Sequence, residues 1–296
     1  MVPSPSMTTK ILCIAGPTAS GKTARAVSEA LRRNGEIISV DSRQVYRGLD
    51  IGTEKITREE MRGIPHHLID VREPDEPYSA GDFVHDAGAL IREITQRGKL
   101  PILAGGTHFY FDALLHGLPP ETPPNPKLRA FYDTLPDEDL YARVQQQDPK
   151  RAAALDPKNR RRLIRALEII EAHGKVPKRA ALMTPAYTTE WILLEPDDTN
   201  LKERIEKRLT DTLSKGLVDE VAGIRKQVGD KRLNELGLEY RIVGEYLRGE
   251  RTEDSLLPAL TAKLWQYARR QKAWLRKLKN GTVPANSAAP PRPDRN

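Results

Sequence analysis

The sequence predicts an α/β fold in which a parallel sheet core is interrupted by a helical insertion, and three observations carry that reading. Short apolar runs at 11–15, 37–40, 100–104 and 191–195 alternate with helical periodicity at 22–33 and 79–97, the pattern of a sheet with crossover helices. The first run leads directly into Gly16-Pro17-Thr18-Ala19-Ser20-Gly21-Lys22-Thr23, which fits G-x-x-x-x-G-K-[ST] in the order strand, loop, helix. That order makes the core P-loop NTPase-like. Pro119, Pro120, Pro123, Pro124 and Pro126 then open a stretch of helical period that ends at the 191–195 strand, so 120–190 reads as an insertion within the core. The division is a flexible N-terminus at 1–9, a core at 10–119 and 191–280, the insertion at 120–190, and a disordered proline-rich tail at 281–296.

In the phosphate loop, glycines allow the turn that aims successive N–H groups inward, Lys22 adds a mobile positive charge, and the next helix opens toward the same space. Gly16, Thr18, Ala19, Ser20, Gly21, Lys22 and Thr23 are therefore the candidates for holding two linked phosphates. The Thr23 hydroxyl suits either a helix cap or a Mg²⁺ ion. The helix over 22–33 buries Ala24, Val27, Ala30 and Leu31 and stops at Asn34-Gly35.

The second strand runs into Asp41-Ser42-Arg43-Gln44-Val45-Tyr46, just beyond the strand end where open parallel sheets bind ligands. Asp41 is either an ordinary Asx turn or a carboxylate facing the phosphate nest, able to take a proton. Ser42 and Gln44 have the donors and acceptors to read a base edge. Gly48-Leu49-Asp50-Ile51-Gly52-Thr53 follows as a glycine-bracketed loop. A third strand is expected over 65–71, where adjacent His66 and His67 point to opposite sides and so support a metal site only weakly. Asp70 either supports a magnesium shell or starts a turn.

Helix 79–97 buries Phe83, Ala87, Leu90, Ile91 and Ile94, with Ser79 and Asp82 placed for a capping box. The strand at 100–104 ends in Gly105-Gly106-Thr107-His108, whose glycines permit close backbone approach. Beyond the prolines, helices are expected over 127–148 and 158–173. Arg160, Arg161, Arg162 and Arg165 crowd the start of the second, where the helix dipole does not favour cations; an anionic partner accounts for them better than a solvated face. A last helix covers 255–279 and carries seven Lys/Arg and no acid, interleaved with Trp265, Tyr267 and Trp274, a pattern that suits either RNA stacking or a core face.

Charge is divided along the chain. Residues 1–120 carry 14 Lys/Arg against 15 Asp/Glu, and residues 121–296 carry 34 against 26, so a net −1 precedes a net +8. Basicity confined to the later part points to a polyanion across it. Cys13 is the single cysteine, which excludes an internal disulfide and fits a reducing compartment. No run of 18 apolar residues exists and residues 1–6 lack the features of a secretory signal, so a cytoplasmic protein away from membranes is expected.

A phosphate loop beside Asp41 by itself suggests an ATP-dependent small-molecule kinase. That reading leaves the basic later part idle. The ordered set Gly16 to Thr23, Asp41 to Tyr46, Gly48 to Thr53, Pro65-His66-His67-Leu68-Ile69-Asp70 and Gly105-Gly106-Thr107 resembles the successive motifs of bacterial tRNA dimethylallyltransferases. So do Arg161-Arg162-Leu163-Ile164-Arg165-Ala166-Leu167-Glu168, Gly216-Leu217-Val218-Asp219-Glu220-Val221 and Tyr267-Ala268-Arg269-Arg270-Gln271-Lys272-Ala273-Trp274, giving coverage of about 10–277.

The resemblance implies transfer of a dimethylallyl group from dimethylallyl diphosphate to N6 of adenosine 37 in tRNA, with diphosphate and Mg²⁺ in the P-loop and the insertion on the anticodon arm. Asp41 would be the general base and Thr23 and Arg208 further catalytic residues. Ser42, Gln44, Arg161, Arg165, Arg269, Arg270 and Gln271 would contact RNA, and the enzyme would act as a monomer. Prenylation of free adenine nucleotides is the nearest alternative. Three departures stand out: His108 follows Gly-Gly-Thr where the family usually has glycine, Asn159 replaces the commoner aspartate, and Gly237-Leu238 replaces Gly-Tyr.

Overall fold

The computed structural model describes residues 8–118, 122–123, 125–177 and 187–281. Residues 1–7 and 282–296, expected to be loose, and three of the prolines at the boundary lie outside them. The chain divides into two compact units, Met1–Leu115 with Thr184–Asn296, and His116–Met183.

The first unit is built on a five-stranded, wholly parallel sheet in the order β3-β2-β4-β1-β5. Strand β1 (Thr9–Ala15) feeds the phosphate loop and then α1 (Lys22–Arg33); β2 (Gly35–Val40) follows at once. Both strands are buried on both faces, as their unbroken apolar runs require. Thr9, grouped with the loose N-terminus in the sequence, already pairs in β1. A single turn, α2 (Arg58–Met61), is closed by a Thr57–Glu60 capping box.

The third strand is shorter than its apolar run suggests. Only His66–His67, as β3, pair with the sheet. Leu68 and Asp70 turn to φ of 61° and 55°, which takes the chain out of the extended region.

Helix α3 (Ala80–Gln96) starts at the Ser79–Asp82 capping box and presses Phe83, Ala87, Ile91 and Ile94 into the sheet, fully buried. Side chains of this size contribute roughly 1.5–3 kcal/mol each on burial. β4 (Leu100–Gly105) then enters the middle of the sheet, and α4 (His108–His116) begins after Gly106 and Thr107.

The second unit holds α5 (Pro126–Tyr132), α6 (Asp137–Gln147), α7 (Pro149–Ala153) and α8 (Arg160–His173). The single helix expected over 127–148 is two, because Pro136 cannot continue the first and instead precedes the second. Leu140, Val144, Leu163, Ala166, Leu167 and Ile170 form its core.

The chain re-enters the first unit through β5 (Tyr187–Leu193), which pairs with β1 along its whole length. Four helices complete that unit: α9 (Asp198–Ser214), α10 (Leu217–Leu236), α11 (Leu238–Leu247) and α12 (Leu256–Lys279). Gly229, at φ 73° and ψ 169°, breaks α10. Their apolar faces meet Val45, Tyr46 and Leu49 from the stretch after β2. Among the described residues no helix is long and apolar enough to cross a membrane.

Candidate active site

The carboxyl ends of β1, β2 and β4 converge because the last two approach closely there. A Cβ on Gly105 would lie 2.1 Å from the Val40 carbonyl oxygen, so no larger residue fits. Gly105 closes the register beside Val40, and the chain turns over the sheet through Gly106 and Thr107.

The phosphate loop runs from buried Gly16 to Gly21, whose φ of 84° suits glycine; Ala19 adopts the same handedness at 58°. Ser20 is buried, Thr18 is half-buried, and α1 opens with no side-chain cap. Thr23 is therefore not the capping residue that one reading of the sequence allowed. Its side chain is exposed and makes no hydrogen bond among the described residues.

Lys22 donates to the Pro17 carbonyl and stands 3.5 Å from Ser20 Oγ. Burial, reinforced by the Arg208 guanidinium and opposed by Asp41 and Glu54, brings Lys22 down to about 8. Arg208 comes from α9, donates through Nη1 to Thr18 Oγ1, and holds Glu54 Oε2 at 3.0 Å from Nε. Two cations thus meet at one loop.

Asp41 forms the turn that one reading of its position expects. Oδ1 accepts from the Arg43 and Gln44 N–H groups at 2.8 and 3.3 Å, the expected Asx turn. Oδ2 accepts no hydrogen bond among the described residues, so one oxygen is fixed and the other is available. Ser42 N–H donates to Thr107 Oγ1 at 3.1 Å, tying the Asp41 turn to the loop after β4.

Gln44 and Gln271, both expected to touch RNA, spend their amides on the protein. Gln44 accepts from Ser39 Oγ at 3.0 Å and donates to the Thr53 carbonyl at 3.2 Å. Gln271 is 3% exposed. Its Oε1 accepts from Thr18 N–H at 2.9 Å and its Nε2 donates to the Gly106 carbonyl at 2.8 Å, bracing the phosphate loop against the loop after β4. A direct RNA contact by Gln271 does not fit those bonds; sequence could not separate the two roles, because bracing and base reading use the same amide.

The basic residues sort similarly. Arg160 is a clamp, donating to the Leu135 and Tyr132 carbonyls and to Asp137 at 2.7–2.8 Å. Arg165 donates to the Thr122 carbonyl and to buried Glu168. Arg161 and Arg162 are exposed and form no ion pair among the described residues. On α12, Arg269 and Arg270 are likewise exposed, with Arg270 over the Tyr267 ring at 5.9 Å. Trp274 faces the core: it packs near Trp191 and Phe111 and stacks on His108.

His66 bonds the Ile64 carbonyl, and His67 bonds Glu36 Oε2, each at 2.8 Å. Asp70 pairs with Lys55 at 2.6 Å. Among the described residues no group of three or more His, Cys, Asp or Glu is placed to hold a metal. Cys13 is wholly buried, and burial pushes its thiol up.

Glu239 escaped the sequence reading. Half-buried at the start of α11, it is raised by burial; Arg208 and Arg43 pull it down, and Asp41 pushes it further up. No spacing signal links residues 198 positions apart, so only the fold brings this carboxylate to Asp41. Tyr267, raised by burial and then by Asp41 and Glu239, closes the same corner and stands 3.4 Å from the Gly106 carbonyl.

A family model described as IPP transferase matches residues 44–278. A tRNA dimethylallyltransferase of Roseiflexus sp. (strain RS-1) is 42% identical over 286 residues, 94% of each chain. The crystal structure of a tRNA isopentenylpyrophosphate transferase from Bacillus halodurans has a TM-score of 0.68 at 39% identity, covering 90% of this chain and 87% of that one. A eukaryotic dimethylallyltransferase acting on tRNA has a TM-score of 0.75 at 28% identity, covering 90% and 70%.

Proposed function

The chain belongs to the IPP transferase family, whose matched members are tRNA dimethylallyltransferases, and on that premise we propose that it moves a dimethylallyl group from dimethylallyl diphosphate to N6 of adenosine 37 in tRNA. The observation that carries the mechanism is the meeting of Lys22, Arg208 and an unengaged Asp41 oxygen at one end of the sheet. The exocyclic amine of adenine is a weak nucleophile, since its lone pair is delocalised into the ring. Asp41 Oδ2 accepts its proton as the new N–C bond forms and the C–O bond to diphosphate breaks. Positive charge spreads over the allyl carbons, and negative charge grows on the leaving diphosphate. Lys22, Arg208 and the amides of Gly16 to Thr23 stabilise the latter, each such contact contributing roughly 10²–10³ in rate.

Thr23 fits Mg²⁺ in donor chemistry, as a hard hydroxyl oxygen with no protein partner at the start of α1. Among the described residues no group of three or more ligating side chains is placed to hold it, so the ion would rely on the diphosphate oxygens and water. Bound there, Mg²⁺ supplies countercharge to the leaving group. The unit His116–Met183, with Arg161 and Arg162 exposed, is the candidate grip on the anticodon arm, and Arg269 and Arg270 on α12 are candidate phosphate contacts. A cytoplasmic monomer is part of the same proposal, consistent with a single buried thiol that takes no part in cross-linking.

The test is transfer of labelled dimethylallyl to an anticodon stem-loop RNA, with AMP as the competing acceptor. Transfer to the RNA is expected; label appearing on AMP alone overturns the acceptor assignment. Asp41→Ala is expected to keep RNA affinity and lose at least about a hundredfold in transfer. Near wild-type turnover would remove Asp41 as the base.

A further inference from the structure

His108 opens α4 directly after the loop that joins the two halves of the site. Its side chain is 8% exposed, and its ring stacks on Trp274 with centroids 4.3 Å apart and planes 17° from parallel. Trp274 therefore fixes the plane of the imidazole and leaves only its edge to form bonds. Nε2, on that edge, is buried without a hydrogen-bond partner among the described residues. Buried ring nitrogens are seldom left so, because desolvation without a bond is costly.

The surroundings narrow what that nitrogen is for. Burial, joined by the charge of Lys22, holds His108 down to about 3, so the ring is neutral and one nitrogen keeps its hydrogen. Thr107, immediately before it, binds the turn at Asp41, and Gly106 is braced to Thr18 through Gln271. A neutral N–H within the field of the Lys22 charge suits the same anion that the ammonium serves.

We propose that His108, as its Nε2–H tautomer, is an additional donor-site residue that hydrogen-bonds the diphosphate of the prenyl donor. The identity of the donor rests on the prenyl-transfer reading; the site itself requires only a diphosphate. The imidazole remains neutral throughout and gives no proton away. Its bond strengthens as negative charge accumulates on the departing diphosphate.

The full-length protein is titrated with magnesium and inorganic diphosphate by calorimetry, and with an anticodon stem-loop RNA by fluorescence anisotropy. His108→Phe keeps a ring to stack on Trp274 but removes the N–H, and is expected to weaken diphosphate binding about tenfold with RNA affinity unchanged. His108→Gln, whose amide reaches the place of Nε2, is expected to recover most of that loss. Wild-type diphosphate affinity in the Phe variant overturns the proposal, as does a loss confined to RNA affinity, which would turn the ring toward the acceptor. Should the variants fail to fold, the wild-type chain still decides: with histidine labelled at the ring nitrogens, diphosphate is expected to shift the Nε2 resonance of His108, and an unmoved resonance overturns the assignment. A chain that binds diphosphate through His108 but transfers no prenyl group to RNA would remove the enzymatic reading and leave this site standing.

Discussion

Lys22 is where burial and binding oppose each other most directly. Its ammonium is held down to about 8 by desolvation and by Arg208, so in the free protein the charge is present below about pH 8 and fades above it. A diphosphate favours the charged form, and binding near that pH must take up a proton. Affinity for dimethylallyl diphosphate is therefore expected to fall as pH rises past about 8, by up to about tenfold per unit. Lys22→Arg, always charged, gives the control, since titration of the ligand itself is common to both proteins. Superimposable calorimetric pH profiles for the two would show that Lys22 keeps its charge throughout. The P-loop pattern placed Lys22 at the opening of α1 in the sequence, because it fixes order as well as composition. The amides of Gln44 and Gln271 carried no such order, and their partners emerged only with the fold.

At the scale of elements, α10 reaches back to hold the glycine-bracketed loop after β2. Glu220 accepts from the N–H groups of Asp50, Ile51 and Gly52 at 2.6–3.0 Å and from Tyr240 Oη at 2.7 Å. The loop it pins ends at Thr53, whose carbonyl holds the Gln44 amide. Glu220→Gln removes the charge that four donors share and leaves a single acceptor oxygen, so a loss of about 2 kcal/mol in urea unfolding is expected. If the loop presents the acceptor side of the site, KM for RNA rises while affinity for inorganic diphosphate stays unchanged. An equal loss in both would reduce Glu220 to a structural brace. The sequence displayed both partners, Gly48 to Thr53 and Gly216 to Val221, as separate motifs. Their mutual bond was illegible because no periodicity relates a loop to a helix 170 residues away. Local signals fared better at the Ser79–Asp82 capping box and worse at β3, where an apolar run of strand character is cut short by left-handed turns.

Across the whole molecule, the split between a net −1 before residue 121 and a net +8 after it was visible at once, but its meaning depends on which cations are already spent. Arg160 and Arg165 are bound to protein groups, and Lys272 and Lys279 pair with Asp198 and Glu195. Among the exposed cations left over are two adjacent pairs, Arg161 with Arg162 in the unit His116–Met183, and Arg269 with Arg270 in the other unit. Each phosphate contact releases counterions and adds about 0.7–0.9 to the slope of log affinity against log salt. Double alanine substitution of either pair is expected to lower that slope by about 1.5, and all four together by about 3, provided both units grip one RNA. Fluorescence anisotropy over a salt series measures it. A slope that responds to one pair alone would confine RNA binding to the unit carrying that pair. Transfer to AMP, which has no backbone to follow, should depend on neither.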